Sequence, residues 1–66
     1  MDKSQKELQD LLSEFLTLNP GGESQIGREC GASIPTIKRW AAGINFSSEI
    51  MTKYVIEVLK KKLGKT

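Results

Sequence analysis

The sequence predicts an all-α domain, built as a small four-helix bundle that contains a helix-turn-helix. Apolar residues recur every three or four positions in several segments, which is the spacing of one face of an α-helix. Segments with glycine or proline separate these stretches, and no stretch alternates apolar and polar residues as a half-buried strand does. The chain has 66 residues, so we expect a single domain over residues 1–66. The Met1 start and the lack of a linker-like tail favour a complete small protein.

The first helix is predicted over residues 4–18. Ser4 and Glu7 have the spacing of a capping box at its start, and the glycine- and proline-containing segment 19–22 stops it. Its apolar face consists of Leu8, Leu11, Leu12, Phe15 and Leu16.

The second and third helices are predicted over residues 23–30 and 34–42, and they form a helix-turn-helix core at about 23–43. Gly31 is expected to end the second helix in the left-handed conformation. Gly27 weakens that helix by about 1 kcal/mol relative to alanine, so we expect a close backbone approach there. Ser33 is a good N-cap for the third helix, and Pro35 is tolerated in its first turn.

The fourth helix is predicted over residues 48–63, after a loop whose Ile44 and Phe46 are expected to turn inward. Its predicted apolar stripe is Met51, Tyr54, Val55, Val58 and Leu59. The lysines at 60–62 lie at its C-terminal end, where the helix dipole favours cations.

The third helix separates its residues into two faces. Ile37, Trp40 and Ala41 form an apolar stripe, and we expect Trp40 to lie in the core rather than to stack on bases. The opposite side carries Pro35, Lys38, Arg39 and Ala42. A short helix that presents two adjacent cations beside small side chains has the shape needed to enter a DNA major groove.

Composition argues against several classes of protein. The chain has no histidine, and Cys30 is its only cysteine, so we expect no zinc or other metal site and no activated thiol. Nothing in the sequence supports catalysis or a cofactor, and we expect a protein that is not an enzyme. The absence of a long apolar run and the single cysteine predict a protein of the cytoplasm that does not enter a membrane.

The distribution of charge is uneven. Residues 1–22 carry a net charge of −2 and residues 23–66 one of +4, which gives the +2 of the whole chain. This asymmetry would orient the molecule in the field of a polyanion. The lysines at 60–62 and Lys65 either solubilise the helix end or add non-specific attraction to phosphates.

From Ile26 to Asn45 the sequence resembles the lambda-repressor-like helix-turn-helix family, which includes phage repressors, Cro-type proteins and many bacterial regulators. The resemblance rests on the small residue Gly27, the turn glycine Gly31, the pairs Ala32-Ser33 and Thr36-Ile37, the run Lys38-Arg39-Trp40, and Gly43. It implies a bacterial or phage DNA-binding protein whose third helix enters the major groove. Two positions differ from the family pattern. Gly22-Glu23 replaces a Thr-Gln or Ser-Gln phosphate clamp, and Ile34-Pro35 replaces polar base-reading residues.

The candidate DNA-binding residues are Arg28, Ser33, Pro35, Thr36, Lys38, Arg39, Ala42 and Asn45. Arginine binds guanine O6 and N7 through two hydrogen bonds, and lysine serves a base edge or a phosphate. For several of these residues a structural role is the alternative: N-capping for Ser33, an ion pair with Glu29 or Glu23 for Arg28, and a turn position for Asn45.

The sequence therefore predicts a sequence-specific DNA-binding protein that acts as a transcriptional regulator on double-stranded DNA. One small domain makes few phosphate contacts, so specific control requires a homodimer, cooperative neighbours or a larger assembly. The alternative is a protein-binding module of the same fold, of phage accessory or antitoxin-like type. Its interface would include the apolar residues Ile34, Pro35 and Ala42.

Overall fold

The computed structural model of the protein describes residues 3–65, and four helices make up most of that range. In chain order they are α1 (Lys3–Leu18), α2 (Glu23–Cys30), α3 (Ile34–Ala41) and α4 (Glu49–Leu63). Residues 3–65 contain no strand, so the predicted all-α class is confirmed, and every helix boundary lies within one residue of its prediction. In the same range no helix is both long and apolar enough to cross a lipid bilayer.

One hydrophobic core joins all four helices. α1 packs along α4 and also against α3, while α2 packs mainly against α3. Four of the five residues predicted for the apolar face of α1 are buried, and Leu16 packs against them from the edge. The core residues are Leu8, Leu11, Leu12, Phe15, Ile26, Cys30, Ile37, Trp40, Val55, Ile56 and Leu59.

The predicted capping box of α1 is wrong. The helix already includes Lys3 and Ser4, so Ser4 lies inside the first turn and is not the residue that precedes it. The carboxylate of Glu7, which was expected to reach back to the cap, instead lies 3.2 Å from Nζ of Lys60 on α4. Glu7 therefore forms an ion pair between α1 and α4 and not the hydrogen bond to the N-cap that a capping box requires.

Four of the five residues predicted for the apolar stripe of α4 contact the core, with Met51 and Val58 packed against it from the edge, and Tyr54 is the exception. Val55 and Leu59 are buried as expected, but Thr52 and Ile56 complete the buried side, while Tyr54 is 51% exposed. Apolar residues surround much of this helix, and two different sets with helical spacing share Val55 and Leu59. Ile56 is 5% exposed, while the hydroxyl of Tyr54 stays at the surface and donates a hydrogen bond to the carbonyl of Glu29 over 3.5 Å.

The loop after α3 also departs from its prediction. Phe46 packs against the core as expected, but Ile44 is 53% exposed. Its position follows from the way α3 ends. The N–H of Gly43 donates to the carbonyl of Trp40 (3.0 Å), and the N–H of Ile44 donates to that of Arg39 (2.9 Å). This Schellman pattern, with Gly43 at φ +84°, turns the Ile44 side chain outward.

Gly27 lies where the chain folds back from α2 into the turn before α3. The N–H of Ala32 donates to the carbonyl of Gly27 over 2.8 Å, and a β-carbon built at residue 27 would collide with the carbonyl oxygen of Ala32. The close approach expected from the sequence is therefore present, and it is made by the turn backbone. Gly31 allows this return because it adopts the left-handed conformation, with φ +72°.

We expect Gly27→Ala to lower the free energy of unfolding by about 1–3 kcal/mol, because the added methyl group forces the Ala32 backbone outward. This loss would occur although alanine favours a helix by about 1 kcal/mol. Urea denaturation followed by circular dichroism measures the change. Gln25→Ala, at an exposed position of the same helix, is the matched control and should change stability by less than about 0.5 kcal/mol. A Gly27→Ala variant as stable as this control would contradict the packing argument.

Cys30 closes α2 and is buried. Burial raises the pKa of its thiol, the neighbouring Glu29 carboxylate raises it further, and Lys62 lowers it. The thiol therefore stays neutral at physiological pH and acts as a small apolar group in the core.

The raised pKa of Cys30 makes stability depend on pH in a definite direction. The unfolded thiol ionises at about pH 8.5 while the folded one still holds its proton. Stability from this group is therefore complete below that pH and falls as the pH rises beyond it. Denaturation series at pH 7 and pH 9.5 should show a smaller loss for Cys30→Ala than for the native chain. Equal losses in the two proteins would contradict the assignment.

Candidate nucleic-acid interface

The candidate site starts at the turn between α2 and α3, and this turn determines the first residue of α3. Ser33 is its N-cap: the Ser33 hydroxyl accepts a hydrogen bond from the backbone N–H of Thr36 over 3.3 Å. The two hydroxyl oxygens of Ser33 and Thr36 also lie 2.8 Å apart and share a hydrogen bond. Of the roles that the sequence left open for Ser33, N-capping is the one observed, and Thr36 takes part in it.

Trp40 and Ile37 hold α3 against the rest of the protein. Ile37 is fully buried, and Trp40 is 2% exposed. The indole Nε1 of Trp40 donates to the carbonyl oxygen of Asn45 over 3.1 Å, which satisfies its polar atom where the ring enters the core. The predicted core position of Trp40 is confirmed.

Asn45 is a turn residue in the structure. Its backbone adopts φ +54°, a left-handed conformation that asparagine tolerates better than most residues, and this directs its carbonyl to the indole of Trp40. Its side chain is exposed, and no hydrogen bond of that side chain is found within residues 3–65. The backbone of Asn45 thus supports Trp40, while its side-chain amide has no hydrogen-bond partner among residues 3–65 and is available to a ligand.

The side of α3 opposite Trp40 faces solvent and is called here the outer face of α3. All of its members are exposed: Ile34, Pro35, Lys38, Arg39 and Ala42. Ala42 lies one residue beyond the helix, as its C-cap, and is not part of the helix as predicted. Within residues 3–65, no carboxylate oxygen lies within 4.0 Å of Lys38 or Arg39. The two cations therefore point outward without a partner in the described chain.

The lysines at the end of α4 differ from those of α3. Lys60 pairs with Glu7 (3.2 Å), Lys62 with Glu29 (3.0 Å) and Lys65 with Glu14 (2.9 Å). Lys60 and Lys65 therefore pair with carboxylates of the acidic α1, and Lys62 pairs with a carboxylate of α2. This use of the charge asymmetry was not predicted, although the seven-residue interval between Glu7 and Glu14 places both on one side of α1.

Arg28 remains unpaired among the described residues, in contrast to the ion pair considered from the sequence. Glu29 pairs with Lys62, and no described carboxylate, that of Glu23 included, lies within 4.0 Å of the Arg28 guanidinium. Arg28 is exposed on the helix that immediately precedes the turn into α3. The helix-turn-helix thus carries three cations without described partners: Arg28, Lys38 and Arg39.

The N-terminus of α2 presents no side-chain cap. Gly22 occupies the capping position, and no side chain accepts a hydrogen bond from the first turn. Residues 3–65 also contain no group of three or more His, Cys, Asp or Glu side chains arranged to hold a metal ion. The described residues of the site therefore offer a ligand three cations, exposed apolar side chains and the side-chain amide of Asn45.

Comparisons of the chain with protein-family models, with curated proteins and with solved structures give no match. The function proposed below therefore rests on the residues of this chain and on the geometry just described.

The backbone of Asn45 provides a test of the loop that supports Trp40. We expect Asn45→Ala to lower the free energy of unfolding by about 1 kcal/mol, because asparagine occupies the left-handed region several-fold more readily than alanine does. Asn45→Gly is the matched control and should retain or raise stability. Chemical denaturation of both variants measures the difference. If the alanine variant is as stable as the glycine variant, the left-handed backbone at residue 45 carries no strain and the argument fails.

Proposed function

We propose that this protein binds double-stranded DNA sequence-specifically through a helix-turn-helix and acts as a transcriptional regulator. The observation that carries the proposal is the outer face of α3, where Lys38 and Arg39 are exposed and have no carboxylate partner among residues 3–65, while the indole of Trp40 holds the other side in the core. An eight-residue helix is about 12 Å long, which suits a major groove about 12 Å wide. The resemblance to the lambda-repressor-like family supports the same function.

In this proposal each cation has a distinct role. Arg39 forms two hydrogen bonds to guanine O6 and N7, while Lys38 serves a base edge or a phosphate. Arg28, on the helix before the turn, contacts a phosphate and so fixes the orientation of the domain on the duplex. The free amide of Asn45 contacts the backbone or an adjacent base beyond the end of α3.

The ion pairs within the protein limit how many of its lysines contact DNA phosphates. Lys60, Lys62 and Lys65 already face carboxylates of α1 and α2. Few cations then remain for phosphates, and a single copy binds DNA weakly. Regulation at a specific site accordingly requires a homodimer, cooperative neighbours or a larger assembly that supplies further contacts.

A salt titration with charge variants tests this function. We expect duplex affinity to fall as salt rises, and Arg28→Ala to reduce the slope of log K against log salt by roughly one, because it removes a phosphate contact. Arg39→Ala removes a base contact, so we expect it to cost about 1–3 kcal/mol of affinity for the preferred duplex with little change in slope. Lys38→Ala follows the first pattern if Lys38 binds a phosphate and the second if it binds a base edge. Fluorescence anisotropy with a labelled duplex measures both quantities. Lys61→Ala is the matched control: it removes from α4 one exposed charge that has no carboxylate partner among the described residues, and it should leave the slope and the affinity nearly unchanged.

Two results would contradict the proposal. One is binding that does not weaken between low and moderate salt, since phosphate contacts release counterions. The other is an equal loss for the Lys61 variant and the α3 variants, because the attraction would then be a property of the net charge and not of the outer face of α3.

The alternative function is a protein-binding module that keeps this fold without contacting DNA. The observation that favours it is the exposure of large apolar side chains outside the core, with Ile34 at 44% on α3 and Ile50 at 84% on α4. Backbone amide shifts on addition of generic duplex at low salt separate the two functions. Shifts confined to residues 33–45 support DNA binding, and their complete absence supports a protein partner.

A further inference from the structure

The first turn of α3 presents an exposed surface with very few hydrogen-bond donors. Ile34 is 44% exposed and Pro35 is exposed as well, and neither side chain has a polar atom. Proline also lacks a backbone N–H. The nearest hydroxyls, those of Ser33 and Thr36, already share a hydrogen bond with each other over 2.8 Å. Whatever contacts this end of α3 meets mainly apolar groups.

This apolar surface is continuous with the unpaired cations. Ile34 lies one turn before Lys38, and Pro35 lies one turn before Arg39, so each apolar residue and its cation share one side of the helix. A polyanion drawn to Lys38 and Arg39 therefore brings its own surface against Ile34 and Pro35. This charge complementarity favours DNA as the occupant over an apolar protein segment, which would leave both cations without a partner.

Within the major groove only one apolar group distinguishes the bases. The C5 methyl group of thymine projects into the groove, while adenine, guanine and cytosine offer donors and acceptors there. We propose that Ile34 and Pro35 select thymine by packing on its C5 methyl group, beside the base pair that Lys38 and Arg39 contact. This inference rests on the proposed DNA-binding function and names the base that the apolar end of α3 recognises.

The first step of the test identifies a preferred duplex by selection from a random library with the unmodified protein. Each thymine of the selected site is then replaced singly by uracil, which removes the C5 methyl group and leaves the hydrogen-bonding edges unchanged. Burial of one methyl group contributes about 0.8 kcal/mol. We therefore expect one or two positions at which uracil weakens binding about three- to fivefold, with no effect at the remaining positions.

The second step assigns the effect to its residues. In Ile34→Ala, and separately in Pro35→Ala, we expect binding to weaken on the thymine duplex and the thymine–uracil difference to shrink toward onefold at the position concerned. Ile50→Ala is the matched control, since it truncates an equally apolar but more exposed isoleucine on α4, and it should keep the full difference. Circular dichroism of each variant verifies that the helices form.

The outcomes separate the inference from the function on which it rests. A selected site without thymine, a uracil scan with no effect, or a thymine–uracil difference that persists in both α3 variants overturns the inference while salt-dependent DNA binding stands. A protein that binds no duplex at low salt overturns both, and the exposed first turn of α3 is then the surface for a protein partner.

Discussion

The burial of Trp40 is the interaction on which the rest of the structure depends. An isolated helix of eight residues is unstable in water, so both the existence and the rotation of α3 must come from its packing. The indole supplies a large apolar area, and its N–H is satisfied by the carbonyl of Asn45, whose left-handed backbone directs that oxygen inward. With this side fixed, the outer face of α3 must meet solvent or a ligand.

The pairing of charges between helices decides where positive charge remains available. Exposed ion pairs contribute only about 0–1 kcal/mol each, so those of Lys60, Lys62 and Lys65 add little to stability. Their effect is on the electrostatic field, because they neutralise the basic end of α4 with the acidic side of α1 and with Glu29. Arg28, Lys38 and Arg39 have no carboxylate partner among the described residues. The helix-turn-helix therefore keeps three cations available to a ligand, although the net charge of the chain is only +2.

Local patterns predicted most of the fold and the position of the candidate residues. In α1 and α3 most of the large apolar residues lie on one side of the helix, so periodicity alone assigns the buried side. The glycines at 27, 31 and 43 also had local causes: a close backbone approach at the first, and left-handed conformations at the other two. In α4, where apolar residues occur on several sides, the same logic identified four residues that contact the core but wrongly included Tyr54 and missed Ile56.

By itself the sequence determined the number and order of the helices, their bounds to within one residue, the cap at Ser33 and the core position of Trp40, because apolar periodicity, capping residues and turn glycines are patterns that can be read from residues close in the chain. Only the tertiary structure decided that Ile56 and not Tyr54 faces the core, that Ile44 turns outward, and that Glu7 pairs with Lys60. Each of those outcomes depends on which distant helix lies alongside, and no local spacing in the sequence encodes that contact.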